Sequence, residues 1–100
     1  MSAAPTLNAL LNFAATVQGQ SLKTAGGRAE FRVDVTSDGV CYTPMSTGRA
    51  RKQTRERLGQ IIERHGESGS LRPSDYTDLT RHSSYALGLI SAYLLVQQTR

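Results

Sequence analysis

The stretch STGRARKQTRER, Ser46–Arg57, holds the residues of this chain best equipped for chemistry. Between Arg49 and Arg64 stand six basic residues (Arg49, Arg51, Lys52, Arg55, Arg57 and Arg64) against two acids, Glu56 and Glu63. That surplus equals the net charge of the whole chain, +4, because the remaining basic and acidic residues cancel. Guanidinium and ammonium groups beside hydroxyls suit phosphate, since charge-assisted donors converge well on its oxygens.

The placement of the charge adds to its size. Pro44 closes a strand, and Ser46 or Thr47 can cap a helix running to about His65, with Thr54, Leu58, Ile61, Ile62 and His65 inward. A helix start carries partial positive charge and free amides, so cations in its first two turns each cost about a few tenths of a kcal/mol. A bound phosphate removes that conflict by drawing amides, hydroxyls and guanidiniums onto one anion. At about 100° per residue, Arg51 and Arg55 fall near the side of Leu58 and Ile62. The basic end must then project beyond the core, or these arginines must pair with acids such as Asp34 or Asp75.

The candidate nucleic-acid-binding residues are therefore Ser46, Thr47, Arg49, Arg51, Lys52, Arg55 and Arg57, with Tyr42 as the nearest ring for stacking. Tyr42 also has a plainer reading, as a core residue opposite Val35. Duplex DNA is the preferred partner over RNA, because a projecting helix fits the major groove and the chain is poor in rings for stacking on single strands. Three other readings compete: a solvated basic face, a module binding an acidic protein surface (inhibitor or toxin–antitoxin type), and a small nuclease.

Catalytic signals are weak. His65, His82 and Cys41 are far apart, with no metal-ligand spacing, no identifiable nucleophile–base pair and no GxxxxGK[ST] phosphate loop. His65 reads as a complement to a helix C-terminus. No catalytic residue, metal or cofactor is expected.

The elements that position these residues form an α+β pattern, α-β-β-α-α with a further helical piece, in a single domain over residues 1–100. Residues 1–5 read as a flexible tail. Leu7, Leu10, Leu11, Ala14 and Val17 recur at helical spacing within Pro5–Gly19, and 20–29 reads as a connection in which Ser21–Lys23 could form a short strand. Glu30–Val35 alternates strictly, with Phe31, Val33 and Val35 on one face. Asp38-Gly39 suits a two-residue hairpin turn, which would set Val35 against Tyr42 and Thr36 against Cys41. Such a hairpin must rest on helices or extend across a dimer. Pro73 and Asp75 suit a helix start before the apolar helix Tyr85–Gln97. In that final helix Ser84, Gly88 and Ala92 offer a close-packing stripe to a neighbouring helix. A homodimer through the hairpin or through helix 85–97 would help so short a chain.

Apolar residues make up 38% of the 100, enough for one modest core. A lone cysteine and no signal sequence fit a reducing cytoplasm, in a bacterial or phage-like setting. The most apolar stretch, Ala86–Val96, is 11 residues, well short of the roughly 20 a membrane span needs.

Overall fold

The structure, a computed structural model, describes residues 5–98. Residues 1–4 of the expected flexible tail lie outside that range, and Pro5 is buried. The chain is an α+β domain: three α-helices and a four-stranded antiparallel sheet of order β1-β2-β3-β4.

Helix α1, Leu7–Thr16, begins where the Thr6 hydroxyl accepts from the Ala9 amide at 3.1 Å, and it buries Leu10, Leu11 and Ala14. The short β1, Leu22–Lys23, pairs with β2, Glu30–Thr36, matching Leu22 with Phe31 and Lys23 with Glu30. Alternation in β2 works as the period-2 pattern requires: Phe31 and Val33 are buried, while Glu30, Arg32 and Asp34 are exposed.

Strand β3, Gly39–Pro44, pairs with β2 in a register that differs from expectation. Val35 faces Val40, Val33 faces Tyr42 and Thr36 faces Gly39, so Ser37-Asp38 forms the turn and Gly39 already belongs to the strand. The slip preserves which face each residue occupies, so the apolar side is as expected while every partner changes. The physical reason lies on the far side of Gly39. Its φ is 154°, and a Cβ there would run into the backbone at the end of the next strand and the residue after it: the Gln53 carbonyl, the Thr54 carbonyl carbon at 2.9 Å and the Arg55 amide at 2.8 Å. Glycine serves close strand approach here rather than the turn.

That next strand, β4, Arg51–Thr54, replaces the first part of the expected helix. It pairs with β3 through Val40–Gln53, Cys41–Lys52 and Tyr42–Arg51. Helix α2 therefore starts at Arg55, not near Ser46, and runs to Ser68 with Thr54 as its cap, whose hydroxyl accepts from the Arg57 amide at 3.2 Å. Leu58, Ile61, Ile62 and His65 are its buried face, as the spacing predicts. Thr54, expected to point inward, is exposed. Gly69, with φ 69°, ends the helix and donates to the His65 carbonyl at 2.8 Å.

A 3₁₀ turn at Pro73–Tyr76 and helix α3, Ser83–Gln98, complete the chain. All three helices cover one face of the sheet. Their buried residues join Phe31, Val33, Val40 and Tyr42 in one core, to which α3 gives Ala86, Leu87, Leu89 and Ile90, all fully buried. Leu95, near its far end, is 62% exposed. The hairpin needs no second subunit to complete it, because β1 and β4 flank it on either edge and the helices cover its apolar side. The small-residue stripe meets a strand rather than a helix. A Cβ on Gly88 would collide with the Lys23 carbonyl and stand 3.0 Å from Phe31, and the Ser84 carbonyl accepts from the Ala25 amide at 3.2 Å. No helix among the described residues is long and apolar enough to cross a membrane.

Two substitutions test this packing. Gly39→Ala forces β3 and β4 apart and should lower unfolding free energy by roughly 2–3 kcal/mol, read by urea denaturation. Leu89→Arg places a charge in the closed core and should abolish the cooperative thermal transition.

Candidate nucleic-acid interface

The basic segment spans three kinds of local structure. Ser46 and Thr47 lie in the connection from β3 to β4 and are exposed. Gly48, with φ 70°, lets that connection turn back, its amide donating to the Pro44 carbonyl at 2.8 Å. The Thr47 hydroxyl accepts from the Arg49 amide at 3.3 Å, and Arg49 is exposed.

In β4 the alternation of a strand sends neighbours to opposite faces. Lys52 and Thr54 are exposed on the open face, Lys52 in line with Cys41 and, one strand on, Asp34. Arg51 and Gln53 share the helix-covered face with Tyr42 and Val40. Gln53 is 5% exposed and fully engaged: the Tyr42 hydroxyl donates to its Oε1 at 2.5 Å, and its Nε2 donates to Thr80 Oγ1 at 3.1 Å. The same Thr80 oxygen accepts from the His82 amide at 3.0 Å. Arg51 is partly buried, and its Nε is enclosed with no hydrogen-bond partner.

Arg55 and Arg57 are exposed in the first turn of α2, beside Glu56. Arg57 donates to Gln60 Oε1 at 3.0 Å, and the Arg55 amide donates to the Asp38 carbonyl at 2.8 Å, which ties the helix start to the hairpin tip. Arg64 stands apart. Its guanidinium grips both carboxylate oxygens of Asp78, at 2.5 and 2.9 Å, and also donates to the Asp75 carbonyl at 3.0 Å. That hydrogen-bonded pair holds the Asp78 carboxyl below its ordinary range and pins the 3₁₀ segment to α2.

Tyr42 is removed from the candidate residues by its position. Its ring is fully buried, stacked on Tyr85 at 5.7 Å and edge-on to Phe31 at 5.8 Å, and burial pushes its hydroxyl far above the ordinary value. The core reading of Tyr42 holds, with Val33 rather than Val35 opposite. The structure thus gathers Arg49, Arg51, Lys52, Arg55 and Arg57 along one connection, one edge strand and one helix start. It leaves Tyr42 in the core and Arg64 in an ion pair.

Spacing alone did not reveal the neighbours of Arg51. Thr80, Arg81 and His82 are about thirty positions on in sequence and reach β4 through the Gln53–Thr80 hydrogen bond. Burial lowers the His82 imidazole, and the nearby Arg51 and Arg81 cations lower it further. His65 is likewise lowered by burial, and its Nδ1 lacks a partner. It is therefore held toward the neutral form rather than serving as a cation at the end of α2. Among the described residues no three His, Cys, Asp or Glu side chains are grouped to hold a metal. No family model, curated protein or solved structure matches this chain.

Both histidines set a pH dependence. Each has a folded value lowered from 6.5, so the unfolded chain takes up protons first as pH falls. Their contribution to stability is complete above pH 6.5 and is lost as pH drops toward the lowered values. The melting temperature should fall between pH 7 and pH 5, above the range where carboxylates titrate, and the double variant His65→Gln, His82→Gln should flatten that slope.

Proposed function

We propose that this protein binds nucleic acid through the phosphate backbone, using Arg49, Arg51, Lys52, Arg55 and Arg57 with hydroxyl support from Ser46 and Thr47. One observation carries the reading. The segment that holds the whole net charge keeps Arg49, Lys52, Arg55 and Arg57 exposed, and the sole ion pair among the described residues takes Arg64 instead. Such a band of unpaired cations raises the local concentration of a polyanion and contacts it without regard to sequence.

Duplex DNA remains the preferred ligand, on a narrower basis. A helix projecting into the major groove is no longer part of the reading, because α2 begins at Arg55 and its next turns pack on the core. What supports a duplex is the lack of an accessible ring in the band, since Tyr42 is buried and single-strand binding leans on stacked aromatics. Contact through backbone phosphates also implies little preference among base sequences.

Lys52 and Arg55 are exposed and carry no core packing, so Lys52→Ala with Arg55→Ala should leave the melting temperature unchanged. Affinity for a mixed-sequence duplex should drop, and the slope of log K against log salt should flatten by roughly 0.9 per lost phosphate contact. Fluorescence anisotropy at several salt concentrations measures both. A wild-type chain that binds neither duplex nor single strand at low salt would sink the reading, and an acidic protein surface would become the better partner.

A further inference from the structure

The hairpin tip and β4 together shape a hollow of about 220 Å³, lined by Thr36, Ser37, Asp38, Lys52, Gln53 and Thr54. Gln53 gives it only main chain, because its amide is bonded to Tyr42 and Thr80 on the covered face. The other five residues are exposed, so the hollow opens to solvent. Its lining carries opposite charges that do not meet. Lys52 and Asp38 border the same space, yet the sole ion pair among the described residues is Arg64–Asp78. The side chains of Thr36, Ser37, Asp38 and Lys52 make no hydrogen bond among the described residues, and the Thr54 hydroxyl is engaged as an acceptor from the Arg57 amide.

Aspartate is common in turns because its carboxylate ordinarily bonds a backbone amide close by. Asp38 makes no such bond. What ties this turn down is the Asp38 carbonyl, which accepts from the Arg55 amide at 2.8 Å. Two acids thus stand beside the cation band, and both repel phosphate. Glu56 has a reason to be there, in the first turn of α2 where negative charge suits the helix dipole. The Asp38 carboxylate has no partner in the fold.

We infer that this hollow is a subsite for one base amino group, with Asp38 as its acceptor and Lys52 and the hydroxyls on the adjoining phosphate. The inference rests on the phosphate-backbone reading and adds a single base preference to it. A DNA sugar–phosphate backbone offers acceptors and no hydrogen-bond donor, so a carboxylate beside it finds its partner on a base. The major-groove donors are cytosine N4 and adenine N6. Adenine sets the N7 acceptor next to its amino group, which repels a carboxylate, so cytosine is the match. Ser37 and Asp38 form the turn of a two-stranded hairpin, an element of the kind that groove admits. The hollow is smaller than the roughly 300–1,000 Å³ of pockets that enclose a drug-sized ligand, which suits one edge of a polymer rather than a free molecule.

The test compares two duplexes of one mixed sequence, one plain and one with every cytosine methylated at N4. Methylation blocks the major-groove hydrogen and leaves the phosphates unchanged. In fluorescence anisotropy the wild-type chain should bind the plain duplex about tenfold more tightly, the value of one charge-assisted hydrogen bond. Asp38→Ala should bind the two equally, with the salt slope of the wild type. Asp38→Asn keeps an acceptor oxygen at the turn and should keep part of the preference. Both variants should melt with the wild type, since Asp38 is exposed. The subsite is overturned if the wild type binds both duplexes equally, or if Asp38→Ala retains the preference. Equal binding with a steep salt slope leaves the backbone reading standing, whereas no binding to either duplex removes both.

Discussion

Gln53 lies on the covered face of the sheet, where both ends of its amide must find partners or cost the fold dearly. Tyr42 satisfies the oxygen and Thr80 the nitrogen, and the Thr80 hydroxyl then takes the His82 amide. This chain of bonds joins β3, β4 and the approach to α3 across the edge of the core. It keeps a strand of four polar residues in place where apolar burial alone would offer little. The position of Arg51 against the α3 turn, and of Lys52 on the open face, both follow from the anchoring of Gln53 between them.

Where the cations fall changes the electrostatics of the segment. On a helix running from Ser46, Arg49, Arg51 and Lys52 would have opposed the dipole. On a connection and a strand they meet no such field, because strand dipoles nearly cancel. The conflict survives in reduced form at Arg55 and Arg57, and Glu56 partly relieves it there. The positive character of the segment therefore lies in the density of cations without an internal ion pair, not in a helix start.

The alternation from Glu30 to Val35 and the helical spacing of Leu58, Ile61, Ile62 and His65 were legible because each buries one face of one element. The hairpin register was not. Asp38-Gly39 carries the local chemistry of a turn, yet the need for Gly39 arises from β4, a strand made wholly of polar residues with no apolar alternation to betray it. A better signal stood at Thr54, a capping residue directly before the apolar periodicity, and favouring Ser46 over it stretched the helix by more than two turns. Of the candidate residues, the charged ones kept their exposure because nothing nearby neutralises them. Tyr42 went to the core because two rings and a buried amide receive it there. The approach of Arg81 and His82 to Arg51 is a tertiary fact with no local trace.

Strand β4 forms one edge of the sheet, and an edge needs protection from pairing with other chains. Lysine on an edge strand gives that protection, as does an inward-pointing charge, so Lys52 and even the orientation of Arg51 have a structural reason apart from any ligand. That reason stops short of two observations. A charge placed to discourage pairing works best when solvated, whereas the Arg51 Nε is enclosed without an acceptor. Edge protection also asks nothing of a different element, yet Arg81 brings a further positive charge near His82 from the approach to α3. Stability alone would place an acid there, as it does where Asp78 meets Arg64.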